Sequence, residues 1–403
     1  MIFRLGVKEF IRNIGLNLLI ILQLAATLAL SIFLTSTIEY RLAHYLPFKE
    51  ELSSKGLYVL YRGFDYDHNP IDDKNKIISE LEKVKEITAT YTAPIIDKHS
   101  NSDDDIIYDI TAYDEKIFTS FKPRLKSGKW LDKRKEGDYL PAVISHNSSG
   151  IKTGDILALT GYNDKSEEVD VKVKIIGTLR DGAKVFSKNS HDAYDNYLDL
   201  YMNYNYEQEL RTTLFVAVDD MEKFDLSYII SGKGFITFDD DITNEQARSN
   251  LGKVDEYCSA YPLDEVNARS ISHITYQLYL LLPIIIGVLM LVIVSTLSIS
   301  AINTSKQMRN YAIYYMCGSQ WSSCSLISLV SYLVVAAFSF VLSWTAMVGL
   351  SLFGILDNTS LRLGIYQILA CLLIILIGLC TSVLTPYLMI RKTTPRQIIS
   401  TND

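Results

Sequence analysis

Residues 14–38, IGLNLLIILQLAATLALSIFLTSTI, form an apolar stretch of 25 residues without a charged side chain. A helix that rises 1.5 Å per residue needs roughly 20 residues to cross the hydrocarbon core of a bilayer, so this stretch predicts a transmembrane helix. A cleaved signal peptide is the alternative, but its apolar region is usually shorter and no A-x-A cleavage site closes this one. The stretch therefore predicts an uncleaved membrane anchor.

Three further apolar stretches lie toward the C-terminus, and each is nearly free of charge. They span residues 274–301, 326–350 and 364–390. Charged side chains are concentrated instead between about residues 39 and 272. Because no water-soluble fold needs apolar and charged residues segregated in such blocks, the pattern predicts an α-helical membrane protein with four transmembrane helices and one large polar insert.

Lysine and arginine are concentrated beside the predicted spans on one side. They are Arg4, Lys8 and Arg12 before the first span, Lys306 and Arg309 between the second and third, and Arg391, Lys392 and Arg396 after the fourth. Such flanks stay in the cytoplasm. We therefore expect cytoplasmic termini, with a tail over 391–403, and a cytoplasmic segment over 302–325. The insert 39–273 and the short loop 351–363 then face outside.

The first 13 residues carry an amphipathic helical pattern. Apolar residues share one helix face, and Arg4, Lys8 and Arg12 follow at i, i+4 and i+8 on the adjoining face. The pattern predicts an interfacial helix over 1–13 that lies along the inner leaflet. A simple positively charged flank is the alternative.

The insert is predicted to be an extracytoplasmic α/β domain, because a strand, a helical pattern and a second strand follow each other near its start. The strand-like segments are 57–64 and 87–92. The same order recurs near the end, where 234–238 precedes a helix whose capping box is Thr243 with Gln246. Two β-α-β units are therefore expected to pack side by side as one lobe.

The middle of the insert differs from its ends, because alternating apolar residues and turn residues dominate it. Residues 169–176 (VDVKVKII) alternate cleanly, and Gly154 and Gly182 lie in turn-forming sequences. We therefore expect an inserted β-rich lobe over 108–218, with the α/β lobe formed by 39–107 and 219–273.

Several kinds of chemistry are not expected of this chain. It has no G-x-x-x-x-G-K-[ST] phosphate loop, so it should not hydrolyse ATP by that route, and we expect a non-enzymatic subunit without a cofactor of its own. Asp65, Asp67 and Asn69 begin like a calcium loop, but Pro70 and Lys76 occupy the positions that need Gly and Glu. The insert has no basic stripe for nucleic acid.

Two other features of the insert have plain structural interpretations. Cys258 is its single cysteine, so the insert has no disulfide of its own, and a buried small apolar role is expected. Tyrosines crowd positions 194, 197, 201, 204 and 206. They could bind a partner, although a packed helix or strand edge is the favoured interpretation.

Three features together resemble the FtsX/MacB-type permeases, also called type VII ABC transporter permeases. The first is the layout of one span, a large external domain and three spans. The second is residues 301–325, AINTSKQMRNYAIYYMCGSQWSSCS, which are similar to the family's cytoplasmic segment but lack the acidic residue often found beside its basic run. The third is residues 390–399, IRKTTPRQII, which are similar to its closing pattern. Residues 126–130 and 142–145 resemble parts of the family's MacB-like periplasmic core domain.

The resemblance implies a complex of two permease chains, as a homo- or heterodimer, with a dimer of separate ATPase subunits that bind the ATP. It implies that the cytoplasmic segment contains a coupling helix for the ATPase. The implied coupling residues are Gln307, Arg309, Ala312, Ile313, Tyr315, Met316 and Gly318. Ala312, Ile313 and Met316 are expected to share one face, and Gly318 is expected to end the helix.

The resemblance also implies residence in a bacterial inner or plasma membrane and a transport function. The favoured function is export or extraction of a peptide, lipoprotein or other amphiphile by mechanotransmission, because the insert resembles the exporter form. One alternative is a non-transporting actuator of an extracytoplasmic cell-wall hydrolase, in which an accessory protein binds the insert. Another is a receptor-like membrane protein without an ATPase.

Overall fold

The chain forms two compact units in a computed structural model. The model describes residues 2–12, 14–97, 106–135, 137–145, 150–188, 196–204, 211–318, 321–352 and 363–391. Met1–Arg41 with Tyr276–Asp403 make up one unit, called the membrane unit here, and Leu42–Thr275 make up the other, called the sheet domain.

The helices are α1 Ile2–Arg12, α2 Ile14–Tyr45, α3 Lys49–Ser53, α4 Lys74–Glu80, α5 Glu115–Ser120, α6 Val218–Lys223, α7 Asn244–Lys253, α8 Leu263–Met316, α9 Trp321–Leu352 and α10 Ile365–Arg391. The strands are β1 Gly56–Arg62, β2 Val84–Thr88, β3 Thr90–Asp97, β4 Ile106–Tyr113, β5 Leu125–Gly128, β6 Leu140–Ile144, β7 Ile156–Tyr162, β8 Glu168–Leu179, β9 Lys184–Phe186, β10 Tyr201–Asn203, β11 Thr213–Ala217, β12 Ile229–Phe238 and β13 Cys258–Pro262.

Four of the described helices are long and apolar enough to cross a membrane, as the sequence predicted. The candidate spans lie in Ile14–Ser53, Leu263–Ile302, Leu326–Ser351 and Ile365–Leu384. The chain is therefore a membrane protein. The sequence placed a boundary between span 274–301 and segment 302–325, but α8 continues through it, because neither Gly nor Pro occurs between Gly287 and Gly318 to interrupt the helix.

Polar side chains join the helices of the membrane unit to each other. The hydroxyls of Thr296 and Thr381 lie 2.8 Å apart between α8 and α10. Ser339 of α9 donates to the Ile21 carbonyl of α2 at 3.2 Å. Gln367 of α10 donates to the Glu39 carboxylate at 2.7 Å. Without water in the bilayer, such polar groups find partners on neighbouring helices and so fix which faces meet.

Four strands of the sheet domain form the antiparallel order β13-β1-β12-β2. The connections β1-α4-β2 and β12-α7-β13 make this a ferredoxin-like sheet, and the two predicted β-α-β units do share it. The predicted capping box of α7 is also present, since Thr243 Oγ1 accepts from the Gln246 N–H and Gln246 Oε1 accepts from the Thr243 N–H.

The chain between β2 and β12 forms a closed β-barrel, and this barrel is the predicted β-rich lobe. Its strands pair in the ring β3-β4-β11-β6-β8-β7, and the pair Ile96–Thr160 closes the ring from β7 to β3. The fold class expected from the sequence, four apolar helices and an α/β domain with an inserted β-rich lobe, is thereby confirmed.

The barrel begins at Thr90, whereas the sequence placed the start of the β-rich lobe at residue 108. The reason is that β3 and β4 pair over their whole lengths as one hairpin. The strand predicted over 87–92 is split at Ala89, whose N–H donates to Asp114 Oδ2 at 2.6 Å instead of joining a strand ladder. A contact remote in sequence therefore sets this boundary.

Asp114 holds the ferredoxin-like sheet and the barrel together. Besides the Ala89 N–H, its carboxylate accepts from Lys74 Nζ at 2.7 Å and from the Tyr91 hydroxyl at 2.9 Å. Burial raises the pKa of the Asp114 carboxyl, and the positive charge of Lys74 opposes that rise. One buried carboxylate thus connects α4, β3 and the end of β4.

Strand β12 belongs to both parts, and it needs glycine where it crosses from one to the other. Its first residues, Ile229 and Ile230, pair with β3, whereas later residues pair with β1 and β2. A Cβ added at Gly234 would overlap the carbonyl oxygen of Thr88. The absence of a side chain therefore permits the close approach of β12 to β2.

We expect Gly234→Ala to destabilise the sheet domain by roughly 1–3 kcal/mol, because the new methyl group must displace a backbone carbonyl. The control is Gly252→Ala in α7, where an added Cβ meets nothing within 4 Å and removal of a helical glycine should stabilise by up to about 1 kcal/mol. Thermal unfolding of the detergent-solubilised chain, followed by tryptophan fluorescence, measures both. Equal midpoints for the two variants would contradict the close approach.

Candidate functional site

The last turns of α8 expose one continuous face. Ile302, Lys306, Arg309, Ile313 and Met316 are exposed there. They follow each other at intervals of four or three residues, so they form a single line along the helix, which we call the α8 stripe. The stripe combines apolar and basic side chains.

The opposite face of the same turns is packed against the membrane unit. Thr304, Gln307, Tyr311 and Ala312 are buried. The Tyr311 hydroxyl lies 3.0 Å from Ser328 Oγ, which joins α8 to α9. Packing on one side therefore fixes the direction in which the α8 stripe points.

The seven implied coupling residues divide between these two faces. Arg309, Ile313, Tyr315, Met316 and Gly318 are exposed, whereas Gln307 and Ala312 are buried. Ala312 does not join the exposed surface with Ile313 and Met316 as expected, because Ala312 is fully buried whereas the other two are exposed. Successive residues of a helix are about 100° apart, and Ala312 turns with Tyr311 toward the packed side.

Gly318 ends α8, as the sequence predicted. Its φ is +91°, a left-handed conformation that costs glycine little. The Cys317 and Gly318 N–H groups donate to the carbonyls of Ile313 and Tyr315 at 3.0 and 2.9 Å. Ser319, which belongs to the segment 301–325 that resembles the family's cytoplasmic segment, lies outside the described residues.

A second notable region lies in the sheet domain, where both helical segments that border the domain are buried in one core. We call residues 42–53 and 263–275 the stalks. The first stalk buries Tyr45, Phe48 and Leu52, and the second buries Leu263 and Val266, in the same apolar cluster. The two ends of the domain are therefore fixed to a common surface.

Three hydrogen bonds connect the stalks to each other and to the turn Tyr197–Leu200 with β10. The Tyr45 hydroxyl donates to Asn267 Oδ1 at 2.9 Å, which joins stalk to stalk. The Tyr197 N–H donates to Ser270 Oγ at 3.0 Å. The Tyr201 hydroxyl donates to the His44 carbonyl at 2.8 Å. We call these six residues the stalk clamp.

Aromatic rings fill the space beneath the stalk clamp. The Phe48 ring lies 5.2 Å from that of Phe186 and 5.4 Å from that of Phe235. The Tyr45 ring meets that of Tyr197 edge-on at 5.6 Å. Such pairs stabilise by about 0.5–1.5 kcal/mol beyond their buried area, so the first stalk is held by packing as well as by hydrogen bonds.

The turn that carries Tyr197 is fixed by its own local chemistry. Asn196 caps it, because its side chain accepts from the Leu198 N–H at 3.0 Å and its own N–H donates to Asp199 Oδ2 at 2.9 Å. The buried Lys233 of β12 donates to the Asp199 carbonyl. The clamp is therefore attached to the sheet through β12.

The Tyr201 hydroxyl is a permanent hydrogen-bond donor. Burial raises the pKa of this phenol well above its ordinary value, and nearby Tyr197 and Glu51 raise it further. The group therefore stays protonated at any physiological pH and keeps its bond to the His44 carbonyl.

The tyrosine-rich segment is packed, in agreement with the favoured interpretation. Tyr197, Tyr201 and Tyr204 are buried, whereas positions 194 and 206 lie outside the described residues.

The burial of the first stalk in this core was not predicted from the sequence. One pattern could have indicated it, because Tyr45, Phe48 and Leu52 continue a helical spacing of apolar residues beyond the apolar stretch 14–38.

The described residues contain no group of three or more His, Cys, Asp or Glu side chains placed to hold a metal ion. Asp65 instead accepts from the backbone N–H and side-chain amide of Asn69, at 2.8 and 3.0 Å.

Cys258 is buried, and burial raises the pKa of its thiol to about 12. It therefore has the small apolar role that the sequence predicted.

Comparison with known proteins finds similarity only among solved structures. No family model and no curated protein matches the chain. One similar structure is the extracellular domain of the noncanonic ABC-type transporter YknZ from Gram-positive bacteria, with 10% identity and a TM-score of 0.26 over 52% of this chain and 99% of that chain. Another is the periplasmic region of MacB from Actinobacillus actinomycetemcomitans, with 12% identity and a TM-score of 0.27 over 55% of this chain and 94% of that chain.

We expect Phe48→Ala to destabilise the sheet domain by about 3–5 kcal/mol, because it removes a fully buried ring from the core beneath the stalk clamp. Leu46→Ala, in the same short turn, is the matched control. Leu46 is 55% exposed and Phe48 is 1% exposed, so the control should change stability by less than about 0.5 kcal/mol. Thermal unfolding of the solubilised chain measures both, and similar effects would show that the stalk is not seated in this core.

Proposed function

We propose that this chain is the permease subunit of a type VII, FtsX/MacB-like ABC transporter. The observation that supports the proposal most is the continuity of α8. Its first turns carry the clamp residues Asn267 and Ser270, its middle is an apolar span, and its last turns carry the α8 stripe. A helix of 54 residues is about 80 Å long, well over the roughly 30 Å of bilayer hydrocarbon.

This continuity suits a mechanism in which movement, and not a solute channel, passes along the helix. An ATPase that binds the α8 stripe would displace one end of α8 when it closes on ATP. α8 is one continuous helix in which Pro283 alone lacks a backbone N–H to donate. A continuous helix transmits such a displacement along its axis. The Tyr45–Asn267 hydrogen bond then makes the two stalks respond together. The sheet domain would receive the movement through the core that both stalks share.

The energy source in this proposal is a separate chain. The sequence contains no phosphate loop, so ATP would be bound and hydrolysed by a dimer of ATPase subunits. Two permease chains would present two α8 stripes to that dimer, one to each ATPase subunit. The catalytic machinery would therefore lie outside this polypeptide.

The proposed location is a bacterial inner or plasma membrane with cytoplasmic termini. Basic residues precede α2 and recur at the end of α8, which is the distribution found on the cytoplasmic side. The sheet domain would then lie on the outer side of the membrane.

The proposed substrate is a peptide, lipoprotein or other amphiphile. The sheet domain contains a cavity of about 530 Å³ where β3 of the barrel meets the loop before α4. Asp72, Asp109, Lys188 and Tyr228 are among its lining residues. Charged groups of both signs beside an aromatic ring suit the polar part of such a molecule.

Cysteine labelling tests the orientation. Asp164, an exposed residue of the β7–β8 turn, becomes a probe as Asp164→Cys in a Cys317→Ser, Cys380→Ser background. We expect it to react with an impermeant maleimide in intact cells, or in spheroplasts if an outer membrane is present. In a separate Cys380→Ser chain, the exposed native Cys317 is the counter-probe and should react only after permeabilisation. The reverse pattern would overturn the orientation.

Replacement of the α8 stripe tests the ATPase partner. We expect Ile313→Asp with Met316→Asp to reduce recovery of the ATPase in a pull-down by at least tenfold, because unpaired charge would enter an apolar groove. Ile313→Leu with Met316→Leu keeps the apolar stripe and should leave recovery unchanged. Equal membrane levels of both variants show that insertion is intact. Normal ATPase recovery with the Asp variant would remove the coupling role from the stripe.

A further inference from the structure

Helix α1 is fixed on α9 by close packing. A Cβ added at Gly6 would lie 2.7 Å from the Val330 side chain, so the two helices approach each other there. The Phe10 ring stacks on that of Phe338 at a centroid distance of 6.1 Å. One face of α1 is therefore occupied by protein, and the direction of its other face is set by the membrane unit.

The free face of α1 is basic. Arg4, Lys8 and Arg12 are exposed and succeed each other at i, i+4 and i+8, so their charged groups form one line. None of the three has an ion-pair partner among the side chains that the structure describes. Arg12 also lies 3.3 Å from the side-chain amide of Asn310, so this line of charges lies beside the last turns of α8.

Large apolar side chains accompany these charges. Phe3 is 70% exposed and Ile11 is 61% exposed on α1. Ile14, Leu18 and Leu22 at the start of α2 are also exposed. Such side chains are stable when they contact hydrocarbon and not water. A molecule that binds this face of α1 must therefore have hydrocarbon groups as well as negative charge.

The net charges of the two units also favour a negatively charged ligand on the membrane unit. Residues 1–41 and 276–403 carry 10 Lys and Arg against 4 Asp and Glu, a formal net charge of +6. Residues 42–275 carry 29 Lys and Arg against 42 Asp and Glu, a formal net charge of −13. The positive excess is thus confined to the unit that contains the apolar helices.

We propose that α1 binds anionic phospholipid headgroups through Arg4, Lys8 and Arg12, with Phe3 and Ile11 among the acyl chains below them. A phospholipid supplies both the phosphate charge and the hydrocarbon that this face requires. The acidic surface of a partner protein would match the charges but would leave Phe3 and Ile11 without an apolar environment. This inference does not depend on the proposed transport function.

Lipid retention by the purified full chain tests the proposal. The protein is reconstituted in nanodiscs that contain equal amounts of phosphatidylglycerol and phosphatidylcholine, re-extracted in mild detergent, and analysed by quantitative lipid mass spectrometry. We expect roughly a five- to tenfold preference for phosphatidylglycerol among the retained lipids, given three cations near the headgroups. The preference should fall as salt is raised. Equal retention of both lipids by the wild-type chain would overturn the proposal.

Three variants identify the residues responsible. Arg4→Gln with Lys8→Gln and Arg12→Gln should abolish the preference, whereas Arg4→Lys with Arg12→Lys should retain it because the charges remain. The matched control removes three exposed cations from the sheet domain, as Lys126→Gln, Lys129→Gln and Lys172→Gln, and should behave like wild type. An undiminished preference in the first variant, with or without loss of ATPase recovery, would show that α1 does not bind these lipids.

Discussion

The burial of both stalks in one aromatic core is the interaction on which the rest of the structure depends. Tyr45 and Phe48 enter this core from one end of the sheet domain, and Leu263 and Val266 enter it from the other. Each buried side chain of this size stabilises by about 1.5–3 kcal/mol. Because the domain cannot unfold without releasing these side chains, its stability and the attachment of the two stalks to its core are linked.

Sequence was sufficient wherever the signal was local. The spans were predicted because a bilayer excludes backbone groups that lack internal partners, so an apolar stretch of that length can only be helical. The α7 capping box and the helix-ending Gly318 were predicted because each depends on a few neighbouring residues. The recurrence of strand, helix and strand was enough to place two units in one sheet.

Features set by distant contacts could not be predicted in this way. The end of β2 is fixed by Asp114, which follows β4, and the face of α8 that carries Ala312 is fixed by packing against the membrane unit. Two of the three hydrogen bonds of the stalk clamp join residues more than 150 positions apart, namely Tyr45 with Asn267 and Tyr201 with His44. Local periodicity does not indicate which remote group will supply a partner. The stalk clamp was therefore not predicted from the sequence, and the coupling role of the α8 residues stays a prediction.

The point at which the barrel is inserted has a consequence for how such proteins change over time. The chain enters the sheet at β1 and leaves it at β13, and these strands are paired neighbours from Leu57 with Pro262 to Tyr61 with Cys258. The barrel lies between β2 and β12, away from that entry and exit. Lengthening a connection there costs little closure entropy. Evolution can therefore rebuild or exchange the barrel, and with it the surface that the domain presents, without altering the β1–β13 register beside the two stalks.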